Sequence, residues 1–155
     1  MKIKILILVL LVSLFSISLA DIVDNKQWTS YPDLGIDVAT QVHTLPKPYF
    51  YLYIKNTSST LKDIASTGFE YGISLKLINQ DGTSQPLHSR AILRFTPALI
   101  PIKPGDIRPF EIVLTENEIS LLKTSKVEYS FHIYDESSNI RNMVQSQPIQ
   151  VSVSP

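Results

Sequence analysis

The chain has 155 residues, 14 lysines and arginines against 14 aspartates and glutamates, 44% hydrophobic residues and no cysteine. The charge balance excludes the basic footprint of a nucleic-acid binder and an acidic solvating tail, and the hydrophobic share excludes a chain disordered by composition. Without cysteine there is no disulfide framework, thiolate metal site or cysteine nucleophile, and the length suits one domain with one core.

Residues 1–20 read as a secretory signal peptide. Lys2 and Lys4 form a positive start, and Ile5–Val12 is an unbroken apolar run continued through Leu14, Phe15, Ile17 and Leu19. Ser18-Leu19-Ala20 places small residues where a signal peptidase reads, so the mature chain is expected to begin at Asp21 outside the cytoplasm, secreted or periplasmic. The apolar stretch is short for a membrane span, and no cysteine follows it to carry a lipid anchor. No second long apolar run follows, so no membrane span is expected after cleavage.

Residues 21–34 show no clear period and are expected to be irregular. From residue 35 to 155 the dominant period is two, the mark of strands with one buried face. Ile36, Val38 and Val42 alternate with Asp37, Gln41 and His43. Phe50, Leu52 and Ile54 alternate with Tyr49, Tyr51 and Tyr53. Further along, the apolar sets are Tyr71 to Leu77, Leu87 to Phe95, Phe110 to Leu114, Val127 to Ile133, and Ile149 to Val153. Asn79-Gln80-Asp81-Gly82 predicts a hairpin connection, and Lys103-Pro104-Gly105-Asp106 a type II turn. Pro97, Pro101 and Pro104 make Thr96–Pro104 an extended crossing segment. Thr115 followed by Glu118 is a capping box that predicts one short helix over Glu116–Leu122.

Together these elements predict an all-β domain: an antiparallel Greek-key β-sandwich of about seven strands, with the helix before the penultimate strand. At fold level the pattern resembles the immunoglobulin and fibronectin III group. That resemblance implies a tyrosine-corner role for Tyr129, near the start of its strand. The run Tyr51-Leu52-Tyr53-Ile54-Lys55-Asn56-Thr57-Ser58, followed by Phe95-Thr96-Pro97-Ala98-Leu99-Ile100-Pro101-Ile102-Lys103-Pro104-Gly105, resembles the first domain of periplasmic pilus-assembly chaperones. This resemblance implies an immunoglobulin-like sandwich that lends a strand to a subunit. Ile36–His43 lacks the arginine that this family carries on its first strand, and no binding residue is carried over.

Enzyme motifs are scarce. The sequence has no nucleophile elbow, no phosphate-cradling glycine loop and no His-Glu-x-x-His, and its five glycines do not cluster. No catalytic residue, cofactor or metal is therefore expected. His43, His88 and His132 fall on three separate strands without ligand spacing. Tyr49, Tyr51 and Tyr53 are the candidate partner-binding residues, since tyrosine offers an apolar body with a polar tip. The competing reading is plain strand chemistry, with the segment around Trp28 and Tyr31 covering the face. His88, Arg90 and Arg94 form a candidate basic stripe for an acidic partner, although such a stripe is more often a solvated sheet face or an edge guard against aggregation. Asn56-Thr57-Ser58 is a glycosylation sequon. The expected function is an exported, non-enzymatic module that binds a protein or cell-surface partner. An inhibitor of a secreted hydrolase, presenting a loop such as Thr96–Gly105, and an assembly chaperone are the alternatives.

Overall fold

The structure is a computed structural model that describes residues 26–66, 72–87, 98–135, 140–151 and 153–154. The signal-peptide reading of residues 1–20 and the basic stripe His88, Arg90 and Arg94 lie outside them, as does most of the strand read between Leu87 and Phe95.

The chain is all-β, with eleven strands among the described residues where the periodicity indicated seven. In order these are β1 (Thr29–Tyr31), β2 (Ile36–His43), β3 (Tyr49–Asn56), β4 (Lys62–Ser66), β5 (Ile73–Ile78), β6 (Ser84–Leu87), β7 (Ala98–Ile102), β8 (Ile107–Val113), β9 (Lys126–Asp135), β10 (Ile140–Gln145) and β11 (Val153–Ser154). Among the described residues one α-helix, α1 (Glu116–Leu122), joins β8 to β9. Three strands follow it, so it does not precede the penultimate one. Its start is the capping box read from sequence: Glu118 accepts from the Thr115 amide at 2.7 Å, and Thr115 Oγ1 accepts from the Glu118 amide at 3.3 Å.

The first sheet runs β1-β2-β3-β8. Its far edge is shared, because β1 pairs antiparallel with Ile36–Val38 and β11 pairs in parallel with Val42–His43. The parallel pair departs from the expected all-antiparallel arrangement. In the second sheet β9 carries β10 on one edge and β5 and β4 in tandem on the other, with β6 beyond β5 and β7 beyond β4. The inward rows of both sheets meet in one core. Phe50, Leu52, Ile54 and Phe110 come from the first sheet, and Leu77, Tyr129, Phe131 and Ile133 from the second. Burial of each such side chain contributes about 1.5–3 kcal/mol, which is how this cysteine-free chain is held.

The strands missed by periodicity have weak apolar rows. Thr29–Tyr31 lay in the segment expected to be irregular, and has two exposed residues of three. β4 holds a buried lysine, Lys62, ion-paired with Asp135 across the β4–β9 register. β7 carries Pro101, and within the segment read as a crossing Ala98–Ile102 form a strand paired with β4. The Tyr129 hydroxyl, for which the resemblance implied a tyrosine corner, meets that of Tyr31 in β1 at 3.1 Å and so links the two sheets.

Both predicted turns form. Gly82 (φ 82°) closes Asn79–Gly82, and Gly105 (φ 81°) closes Lys103–Asp106 with the Asp106 amide on the Lys103 carbonyl.

Asn56 is the fourth residue in the inward row of β3, after Phe50, Leu52 and Ile54, and is fully buried. Its Oδ1 accepts from the Ser58 amide and hydroxyl, at 3.0 and 2.7 Å. Its Nδ2 donates to the carbonyls of Thr60 and Ile102, both at 2.8 Å. Beside it, Gly35 (φ 63°) accepts from the Thr57 amide, and a Cβ there would sit 2.6 Å from that of Ser58. The sequon is therefore a folding device. Both Nδ2 hydrogens are used, and no sugar fits at a fully buried nitrogen.

The ladder phase fixes which strand groups face outward. The Leu114 amide donates to Pro48 O and the Asn56 amide to Asp106 O, so the even residues of β3 bond β8. Odd residues bond β2, as the Thr57-to-Gly35 bond shows. The N–H and C=O groups of Ile107, Pro109, Glu111 and Val113 then point away from β3, and the N–H that Pro109 lacks belongs to that outer edge.

Asn56→Ala should cost about 2 kcal/mol or more, since two buried carbonyls lose their donor. Phe50→Ala should cost roughly 3–5 kcal/mol. Denaturant unfolding of each variant checks both. Expression in a glycosylating host should yield folded protein whose intact mass carries no sugar at Asn56.

Candidate functional site

The outer face of the first sheet is built by alternation. With Phe50, Leu52 and Ile54 inward, Tyr49, Tyr51, Tyr53 and Lys55 point out. The registers then set four rows across β2, β3 and β8: His43, Tyr49 and Val113; Gln41, Tyr51 and Glu111; Ala39, Tyr53 and Pro109; Asp37, Lys55 and Ile107. The three tyrosines are half-buried, and Ile107 and Val113 are each 41% exposed.

The rings stand against one another along the strand. Tyr51 and Tyr53 are stacked, with centroids 5.8 Å apart and planes at 18°. Tyr49 tilts at 45° on the other side of Tyr51, 5.9 Å away, and His43 meets Tyr51 edge-on at 5.3 Å and 87°. The Lys26 ammonium sits 4.4 Å from the centroid of Tyr53. Tyr51 is thus flanked on both sides by rings, and Tyr53 by a ring and a cation. What this row turns to solvent is ring edges and hydroxyl tips.

Burial pushes the Tyr51 phenol up, with smaller contributions from the Glu111 carboxylate and from Tyr49. Tyr53 is raised by burial first, then by Tyr51 and Glu111. Both hydroxyls therefore stay protonated at neutral pH and serve as donors as well as acceptors.

The structure brings together the three predicted tyrosines and adds His43, Glu111 and Lys26. His43 and Glu111 were legible as outward residues of their own strands, but nothing in the sequence paired those strands with β3. Lys26 gave no signal. The segment expected to cover this face does so only in part. Tyr31 lies opposite Ile36 on the core side and bonds Tyr129, while Lys26 lies over the row. Trp28 is half-buried.

His132 lies on the second sheet, opposite Met143, away from His43. Burial and then the nearby Arg141 hold its imidazole below the usual range. Among the described residues no group of three histidines or carboxylates is placed to hold a metal ion. No described helix is long and apolar enough to cross a membrane.

Glu111→Gln should lower the phenol titration of Tyr51 and Tyr53, but not to the ordinary value, because burial remains the larger cause. Phenolate absorbance against pH, compared with the parent, reads this directly. Arg141→Gln should raise the His132 titration midpoint partway, measured by NMR, while leaving the tyrosine titrations in place. Compared with known proteins, the chain matches no family model and no curated protein.

Proposed function

We propose that this chain is an exported, non-enzymatic β domain that docks a protein partner through the tyrosine face of its first sheet. The observation that carries this reading is the row Tyr49-Tyr51-Tyr53 with His43. Four half-buried rings are held in register on a sheet face, with Glu111 beside them. Rings fixed by their neighbours lose little entropy on binding, and their hydroxyls donate and accept. Tyrosine-rich protein interfaces share this chemistry.

The ring geometry favours a protein over a glycan. Sugar stacking needs an open ring face, and the faces of Tyr51 and Tyr53 are turned to neighbours within the row. Ile107 and Val113 extend the patch with apolar contact at two corners. Export rests on the signal-peptide pattern of residues 1–20, and the absence of enzyme motifs in the sequence supports a binding role.

A second reading has one observation in its favour. The exposed turn Lys103–Asp106 is pinned on both sides to Asn56, by the Gly105 amide on its carbonyl at 2.9 Å and by its own amide on Asp106 O. A loop held this firmly suits an inhibitor of a secreted hydrolase.

Tyr51→Ala should cost about 1 kcal/mol of stability, as a lost cross-strand ring contact does. Affinity for a partner captured from the exported fraction should fall by about tenfold or more. A loss of melting temperature comparable with that of Phe50→Ala, without loss of binding, would make the face part of the core and overturn the reading. Retained binding in Tyr51→Ala, together with loss on shortening Lys103–Asp106, would favour the inhibitor. Intact mass of the native protein tests export, with Asp21 as the expected first residue.

A further inference from the structure

The four outward rows of β2, β3 and β8 divide about the midpoint between Tyr51 and Tyr53. The rows of Tyr49 and Tyr51 lie on one side of it, those of Tyr53 and Lys55 on the other. Two apolar side chains of β8 stand at equal distances from that midpoint: Val113 in the first row and Ile107 in the fourth, each 41% exposed. The exposed Glu111 belongs to the first half. Lys55, and Lys26 over the Tyr53 ring, belong to the second.

The face is thus matched to its own rotated image. A two-fold axis between two such faces, perpendicular to β3 and passing over the midpoint, sets the first row of one copy on the fourth row of the other. Val113 then meets Ile107 of the second copy, so the exposed apolar corners cover each other twice. Glu111 comes over the half that holds Lys26 and Lys55, and His43 over Asp37. Tyr51 meets Tyr53 of the second copy. Their hydroxyls, kept protonated by burial, donate as well as accept, so a row of them pairs with an identical row. A face of donors alone, or of one charge, would repel its copy.

We propose that the partner docked by the tyrosine face is a second copy of this chain, in a face-to-face dimer about that axis. The inference rests on the tyrosine face being a docking surface and names its occupant. The same patch serves both copies, so the assembly closes at two. Sheets packed face to face keep their strand directions within about 30°, which holds the corners in reach of each other. Four rows about 7 Å apart on strands about 4.8 Å apart make about 400 Å2 a side. That is about half of the roughly 800 Å2 of a standard interface, so the dimer is weak. An axis along β3 would instead set Val113 on His43 and Ile107 on Asp37, leaving both apolar corners against polar groups.

For the test the chain is expressed from residue 1, so that processing takes its own course, and is followed by sedimentation and heteronuclear NMR over a concentration series. A dimer should form with a dissociation constant on the order of 100 μM, with concentration-dependent shifts at Tyr51, Tyr53, Ile107 and Val113. Tyr51→Ala should weaken it about tenfold. Val113→Glu and Ile107→Lys change exposed positions, so each should fold and should dimerise about tenfold less tightly or worse. An equimolar mixture of the two should dimerise again, because the new carboxylate of one meets the new ammonium of the other while the second corner keeps its Val113–Ile107 contact. A mixture that does not recover overturns the proposed axis. A chain still monomeric at about 1 mM overturns the dimer. If Tyr51→Ala then still loses a captured partner, the docking reading stands and only its occupant is wrong. A dimer indifferent to Tyr51→Ala and Val113→Glu uses another surface and overturns the proposal as well. If a variant does not fold, the shift map of the unaltered chain decides: shifts away from the tyrosine face sink the proposal.

Discussion

Asn56 is the constraint on which the architecture turns. It ends the inward row of β3 at a place where an apolar side chain would leave the carbonyls of Thr60 and Ile102 without donors. Its four side-chain bonds hold the start of β4 and the end of β7, both in the second sheet, to a strand of the first. Its backbone holds the turn from β7 into β8, and the adjacent Thr57 holds Gly35 at the entry to β2. One side chain therefore fixes the point where the chain passes between sheets twice. A buried polar group normally costs stability; here every donor and acceptor is met, so the cost is offset and the register becomes unique. The Lys62–Asp135 pair lies on the same strand boundary and adds a charge that tolerates only one partner arrangement.

From that fixed end the rest of β3 follows by alternation. Once Asn56 is inward, so are Ile54, Leu52 and Phe50, and the tyrosines are outward. The face proposed for docking and the core that holds the fold are thus two sides of one strand, separated by the width of the backbone. The rigidity of the tyrosine row has the same origin, because β3 is the central strand between β2 and β8 and bonds to both along its length.

How much of this was legible depended on local signal strength. The helix was readable to the residue because capping is local, with Thr115 and Glu118 three positions apart. The two glycine turns were readable for the same reason. β2, β3, β5 and β9 were readable because each carries two or more buried aliphatic or aromatic residues at period two, and β8 because buried Phe110 alternates with half-buried Ile112 and buried Leu114 just beyond it. β1, β4 and β7 were not. β1 has only three residues, β4 is anchored by a buried lysine, and β7 owes its strand state to pairing with β4 in spite of Pro101. The tyrosines were legible as an outward row, but the roles of His43 and Glu111 needed the sheet order, which pairs residues far apart in sequence. Asn56 was legible only as part of a sequon, and its interior place comes from long-range bonds to Ile102 and Gly105.

Pro109 sits at the middle of the last strand of the first sheet, with its missing donor on the outer side. A growing sheet copies itself by offering an alternating comb of donors and acceptors to the next chain. Here the comb has a tooth missing at its centre, flanked by the charge of Arg108 and Glu111. An incoming strand would lose a bond midway and bury a carbonyl without a mate. Pairing of two copies through the β8 edge is therefore disfavoured. The domain keeps a broad aromatic surface open beside a strand edge without that edge becoming a seed for fibres.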